Sequence, residues 1–357
     1  MTRQRAEQSA WLIGGMGLLG SAIGWIVAPA QFPHAWLAAL TCWVGWPLGS
    51  LALMFIHALT GGRWGFAIRG QLATGVATLP LVLPAVLPVL FVLPRLYPWM
   101  HPEVAAQLDN RFYLNPPFFY ARGIVYLIVW LGLGLLVLWA LRQKNPEPIL
   151  HRIAPLGLIL LALTVTFSAI DYTLSLEPHF KSSIYGMLVG SEAVLLALSV
   201  AVMGTAAARR TQGGETVRDL GRLLFGLLVL WAYLDFMQLL IIWNSDLPDE
   251  AAWYLNRLVG GWAIVAALIA AFHFILPFFA LIWPQSQRSW RAMGCLGTLL
   301  VVVEVPRAWW MVIPASGRSL SLVDVAAMMA VLGVAAGIAL RAFPSAVPQS
   351  SVASHAY

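Results

Sequence analysis

TVTFSAIDYTLSLEPHFKSSIYG, Thr164–Gly186, lies near the middle of a 357-residue chain. One apolar run leads into it and another leaves it. Between them stand Asp171, Glu177, His179 and Lys181, with Pro178 breaking the helix. A polar, charged turn between two greasy runs reads as a membrane crossing, a loop at the water interface and a second crossing.

The whole chain repeats this alternation. It is 60% hydrophobic and 10% charged, where a soluble domain carries about 25% charged residues. Mean hydropathy is +0.80. The fold class is therefore an all-α polytopic membrane protein with the lipid bilayer as its solvent. The net charge of +6 does not point to nucleic acid, because basic residues in such a chain mainly set topology. Cys42 and Cys295 both fall in apolar segments. There is no CxxCH for a covalently attached haem and no cysteine run for an iron–sulfur cluster. Electron chemistry near this chain would use cofactors held elsewhere.

A crossing needs about 20 apolar residues. The sequence predicts spans at Trp11–Pro29, Ala35–Leu59, Leu72–Leu93, Phe118–Leu141, Ile153–Tyr172, Ser183–Ala206, Leu223–Trp243, Gly260–Trp283, Ala292–Ile313 and Leu322–Leu340. Residues 1–340 form one membrane domain, and the Ser-, Pro- and Ala-rich tail 341–357 reads as a disordered cytoplasmic tail. Arg3, Arg5 and Ala28-Pro29-Ala30 frame the first span somewhat as a cleavable signal would be framed, but its apolar run is long for one. Pro80, Pro84 and Pro88 predict a kinked third span whose freed carbonyls neighbouring helices must cover.

Fourteen of the 21 lysines and arginines fall on the side that holds both termini. The other seven are Arg95, Arg111, Arg122, Lys181, Arg257, Arg307 and Arg318. The bias predicts cytoplasmic termini. The longest outer loop, Pro94–Pro117, carries Tyr97, Trp99, Phe112 and Tyr113. These read first as interface anchors at the headgroup level, with contacts for a quinone headgroup or a partner as the alternative.

Four ionisable residues fall well inside spans: Glu192, Asp235, His273 and Glu304. Each lies roughly 13–20 Å from the start of its span at 1.5 Å per residue. A charge at the bilayer centre costs at least about 2.5–3.5 kcal/mol. Their grouping on spans six to nine (183–313) predicts one polar core, either a proton relay or a satisfied network that glues helices together. On the seventh span Trp231, Asp235, Gln238 and Ile242 share a stripe. Pro277 cannot donate to the carbonyl of His273. Glu304 and Arg307 are three apart, the spacing of a local ion pair, which makes Glu304 the weakest relay member. Asp171 is either the outer exit of the relay or a cap on the loop backbone. His57 stands near the cytoplasmic end of the second span. No catalytic residue and no metal site is expected, since His179 lacks ligand partners at suitable spacing. Nor is there a Walker loop, GxSxG or HExxH.

HALTGGRWG (His57–Gly65), LYPWMHPE (Leu96–Glu103), YLNPPFFYAR (Tyr113–Arg122), DYTLSLEPHFKSSIYG (Asp171–Gly186) and WAYLDFMQLLIIWNSDLPDE with the following GGW and HFILPFF (Trp231–Phe279) together resemble the NrfD/polysulfide-reductase-like membrane subunits. The likeness is greatest to the second such subunit of alternative complex III, the bacterial quinol:cytochrome c oxidoreductase. It covers His57 to Trp283. The resemblance implies two four-helix bundles with two flanking helices, in the inner membrane. It also implies a sister NrfD-like subunit, multihaem cytochrome c and iron–sulfur partners carrying the redox groups, and a quinone pool as substrate. The sister subunit is the better candidate for the quinol site, while this kind of subunit is argued to contribute mainly a proton path. The residues alone equally allow a stand-alone proton-coupled transporter or a purely structural anchor.

Overall fold

The computed structural model describes residues 3–208, 214–245 and 248–342. The expected tail, Arg209, Arg210 and Asp246 lie largely or wholly outside them. Among the described residues there is no β-strand, and ten helices are long and apolar enough to cross a membrane. They are α1 (Arg3–Val27), α2 (Phe32–Thr60), α3 (Arg63–Leu96), α4 (Pro116–Ala140), α5 (Glu147–Leu176), α6 (Tyr185–Ala208), α7 (Glu215–Ser245), α8 (Trp262–Ile282), α9 (Trp290–Ser316) and α10 (Leu322–Ala342). The protein is an all-α polytopic membrane protein. An even number of crossings puts α1's start and α10's end on one side, here the terminal side, opposite the far side.

Several helices begin earlier than hydropathy predicts. α3 starts at Arg63 rather than Leu72, and α7 at Glu215 rather than Leu223. Apolarity marks only the lipid-crossing part, whereas backbone hydrogen bonding continues through polar residues into the interface. The tight α2–α3 junction is made by Gly61 and Gly62, both at positive φ (69° and 98°), a region that suits glycine alone. The proline-rich α3 is interrupted by a 3-10 turn at Leu79–Leu81. There the Trp43 indole donates to Thr78 Oγ1 at 3.3 Å, and the Trp36 indole donates to the Ala85 carbonyl at 2.8 Å. Both indoles come from α2, but neither bonds a carbonyl freed by Pro80, Pro84 or Pro88.

α2, α6 and α9 form the interior. In α2, 67% of the apolar window is buried, against 22% in α8. α2 packs with α3, α5 and α6, and α9 joins α6 to α8. α1 and α10 pair with each other at the edge. A Cβ placed on Gly333 of α10 would lie 2.7 Å from the Gly14 Cα of α1, so only small residues permit this approach.

The stretch Thr164–Gly186 closes the end of α5, crosses the far side and opens α6. Asp171 ties it to α4. Glu177 and Phe180 tie it to the short helix Pro248–Asn256 and its following residue: Arg257 Nη1 donates to Glu177 Oε2 at 2.8 Å, and Phe180 stacks on Trp253 at 4.8 Å.

Candidate functional site

Arg307 on α9 is 1% exposed. Its Nε and Nη2 both donate to the carboxylate of Glu192 on α6, the second to Oε2 at 2.9 Å. Its Nη1 stands 3.7 Å from Asp235 Oδ1 on α7, close enough for an ion pair and too far for a hydrogen bond. The guanidinium lies 4.8 Å from the Trp231 ring centroid. That indole stacks on His273 of α8 at 4.3 Å, with 23° between the ring planes. Glu304, one turn before Arg307, stands close to Glu192 and Arg307.

The four ionisable residues singled out on spans six to nine thus come together, and the residue that gathers them is Arg307. The Glu304–Arg307 pair suggested by spacing is not the contact made. A two-pronged bond to a carboxylate on another helix satisfies the planar guanidinium better than a local neighbour does, so Arg307 takes Glu192. Glu304 lines the same cavity as Glu192. Sequence reading missed Arg307 as the centre. Its signal was a lone arginine in an apolar span at the depth of the acids.

His273 occupies a π-turn, Ala270–Ile275, in which the Leu276 N–H donates to the Ala271 carbonyl five residues back. Pro277 supplies no N–H, so the helix widens around the gap. His273 is 2% exposed, and its Nδ1 has no partner among the described residues. The predicted stripe on α7 also holds. Gln238 Oε1 accepts from Ser182 Oγ at 2.7 Å, and its Nε2 donates to the Tyr254 hydroxyl at 3.3 Å.

Asp171 and His57 lie apart from this cluster. The Asp171 carboxylate accepts from Arg122 Nε and Nη2 at 2.8 Å each and from the Tyr126 hydroxyl at 2.6 Å. It is bound to a cation and a phenol, not to the loop backbone. Arg122 in turn covers the Tyr113 ring at 3.8 Å. His57 sits at the terminal side with Nε2 2.9 Å from the Gly62 carbonyl oxygen, framed by Trp64 and Phe66. It serves the α2–α3 junction.

Two cavities reach the cluster. The first lies among α2, α3, α4, α5, α6 and α9, with about 120 Å³ open to the centres of water-sized molecules. Glu192 and Glu304 line one part of it, Tyr126, Tyr172 and Tyr185 another. Tyr126 is the phenol that donates to Asp171. The second cavity, about 640 Å³ by the same measure, lies between α7 and α8 and is lined by Asp235, Arg307, Trp231, Tyr254 and Trp310 among apolar side chains.

At the far side, Arg257 is 1% exposed. It lies 3.5 Å from the Trp253 ring centroid, and its Nη2 donates to the Met311 carbonyl at 2.8 Å. Burial lowers its proton affinity, and Glu177 opposes that fall. Burial pushes the Tyr254 phenol above its ordinary value. Among the described residues no group of three or more His, Cys, Asp or Glu is placed to hold a metal ion. No protein-family model and no curated protein sequence matches the chain.

Proposed function

We propose that this chain is an integral membrane subunit of a respiratory quinol:cytochrome c oxidoreductase of the alternative complex III kind, and that it contributes a proton path. The carrying observation is the convergence of Glu192, Glu304, Asp235 and His273 around Arg307 beside an internal cavity. A relay needs groups that both accept and donate protons, in contact with water-sized space. Glu192 and Glu304 line the first cavity together, and the same cavity reaches Tyr126, which donates to Asp171. In this reading Asp171, held by Arg122, marks the outer end of the path.

The family assignment rests on the sequence stretches quoted above. It brings the remaining parts with it: the bacterial inner membrane, a sister membrane subunit, multihaem cytochrome c and iron–sulfur partners, and quinol as the electron source. Cytoplasmic termini are supported by the charge bias. Of the seven basic residues on the other side, Arg122, Arg257, Arg307 and Arg318 are engaged in ion pairs within the protein. The other three are Arg95 near the end of α3, Arg111, and Lys181, which stands 3.8 Å from Asp109.

The test is purification of the tagged chain in mild detergent, with a reduced-minus-oxidised haem spectrum and mass spectrometry of what accompanies it. Co-purifying c-type haem and an iron–sulfur protein are expected. A haem-free, solitary protein would overturn the assignment in favour of a proton-coupled transporter built on the same acids.

A further inference from the structure

The two cavities share no lining residue, yet their carboxylates meet at one cation. Glu192 and Glu304 line the first cavity, and Asp235 lines the second. Arg307 carries a single positive charge between them. Two of its nitrogens are committed to Glu192, and the third stops 3.7 Å short of Asp235. The Asp235 side chain is 38% exposed, compared with 12% for Glu192. The five N–H donors of a guanidinium form two edges; Arg307 uses the Nε/Nη2 edge on Glu192, while the Nη1 donor facing Asp235 stays beyond hydrogen-bond distance.

We infer that Arg307 is a charge gate between the two cavities, and that the structure holds it in the state bound to Glu192. The inference rests on the proton-path reading above and adds how the path is switched. The gate requires whichever carboxylate holds the fork to be ionised and the other to carry a proton. A proton reaching Glu192 from the first cavity, by way of Glu304, neutralises that carboxylate and releases the fork. Arg307 then swings to Asp235, whose proton leaves into the second cavity. One proton is taken from the first cavity and one is given to the second. The charge around Arg307 is unchanged, and water never forms a continuous thread across the site.

The ionisable groups facing the site come from five helices, including Cys42 of α2, which lines the first cavity beside Glu192 and Glu304. From α6 the guanidinium faces Glu192, from α9 Glu304, from α7 Asp235 and from α8 His273. Tyr185 and Tyr254 stand further off on either side. The Trp231 ring lies 4.8 Å from the guanidinium and attracts the cation.

The test is a high-resolution structure of the Glu192→Gln protein, purified with whatever subunits accompany it, beside Asp235→Asn. The gate predicts that in Glu192→Gln the separation of an Arg307 Nη from an Asp235 carboxylate oxygen falls from 3.7 Å to about 2.7–2.9 Å, the length of a charge-assisted hydrogen bond. In Asp235→Asn the fork should stay on Glu192. A guanidinium that remains beside residue 192 in Glu192→Gln overturns the gate. If that variant does not assemble, maps of the unmodified protein at neutral and acid pH carry the same expectation. There, an Arg307 fixed on Glu192 at every pH overturns it. The subunit assignment fails separately, through the absence of haem partners, and the proton path fails if acid variants leave turnover intact.

Discussion

Arg122 and Asp171 meet as a two-pronged ion pair between α4 and α5, with Nε–Oδ2 and Nη2–Oδ1 both at 2.8 Å. The Asp171 side chain is 1% exposed. Removing one partner leaves a buried charge without its counter-ion, so Asp171→Ala is expected to cost about 3–5 kcal/mol. The double variant with Arg122→Ala should cost less than the sum of the two singles. Thermal unfolding in detergent, read as a double-mutant cycle, checks this.

Among the described residues Glu177 is the only carboxylate bonded to buried Arg257, and it also accepts from Asn256 Nδ2 at 3.1 Å. Glu177→Ala should destabilise the far side by about 1.5–3 kcal/mol, the range for a hydrogen bond to a charged group. The loop after α5 should then exchange its amide hydrogens faster while α2 does not change. Local hydrogen-exchange mass spectrometry separates the two regions.

Tyr254 holds its phenol proton more tightly in the folded protein than in the unfolded chain, because burial disfavours the phenolate. A raised folded value gives stability that is complete below the unfolded value and lost as pH rises towards the folded one. Stability should therefore fall above about pH 10, the ordinary tyrosine value. Tyr254→Phe should flatten part of that fall. Melting temperatures at alkaline pH decide it.

Gly333 of α10 lies against the α1 backbone at Gly14. Gly333→Val should force the pair apart and lower the melting temperature, while Gly15→Val, at a position with open space beside it, should not. Cross-linking yield between cysteines introduced on α1 and α10 provides a second readout.

His273 stacks on Trp231 with its Nδ1 unpartnered. If its role is only to fill space, His273→Phe should leave both stability and turnover within about twofold. As a relay member it should instead lose tenfold or more of proton-coupled turnover, about 1.4 kcal/mol, with the melting temperature unchanged. Rates and melts on the same preparation distinguish these outcomes.

The number and order of the crossings were legible because hydropathy is a bulk property of about 20 residues. The meeting of Glu192, Asp235, His273 and Glu304 was also legible, since scattered charges in lipid are costly and four on neighbouring helices have reason to converge. What could not be read was the partner each chose. Glu304 and Arg307 share a helix face by spacing, yet Arg307 reaches across to Glu192, because the packing of α6 on α9 brings a better acceptor within range. Asp171 differs: its partner Arg122 stands on the antiparallel neighbour α4, a pairing that depth along each span would have suggested. Helix ends were misjudged wherever polar residues such as Arg63 and Glu215 extended an apolar span, since hydropathy does not see a hydrogen bond.

The glycine-lined contact of α1 with α10 bears on how the chain is made. During synthesis α1 enters the membrane long before its chief partner exists. It must wait there with its small-residue face turned to lipid until eight further crossings have been laid down. Docking of the last helix against the first is thus a late step in assembly, and until it happens α1 is free to take other helices as temporary companions.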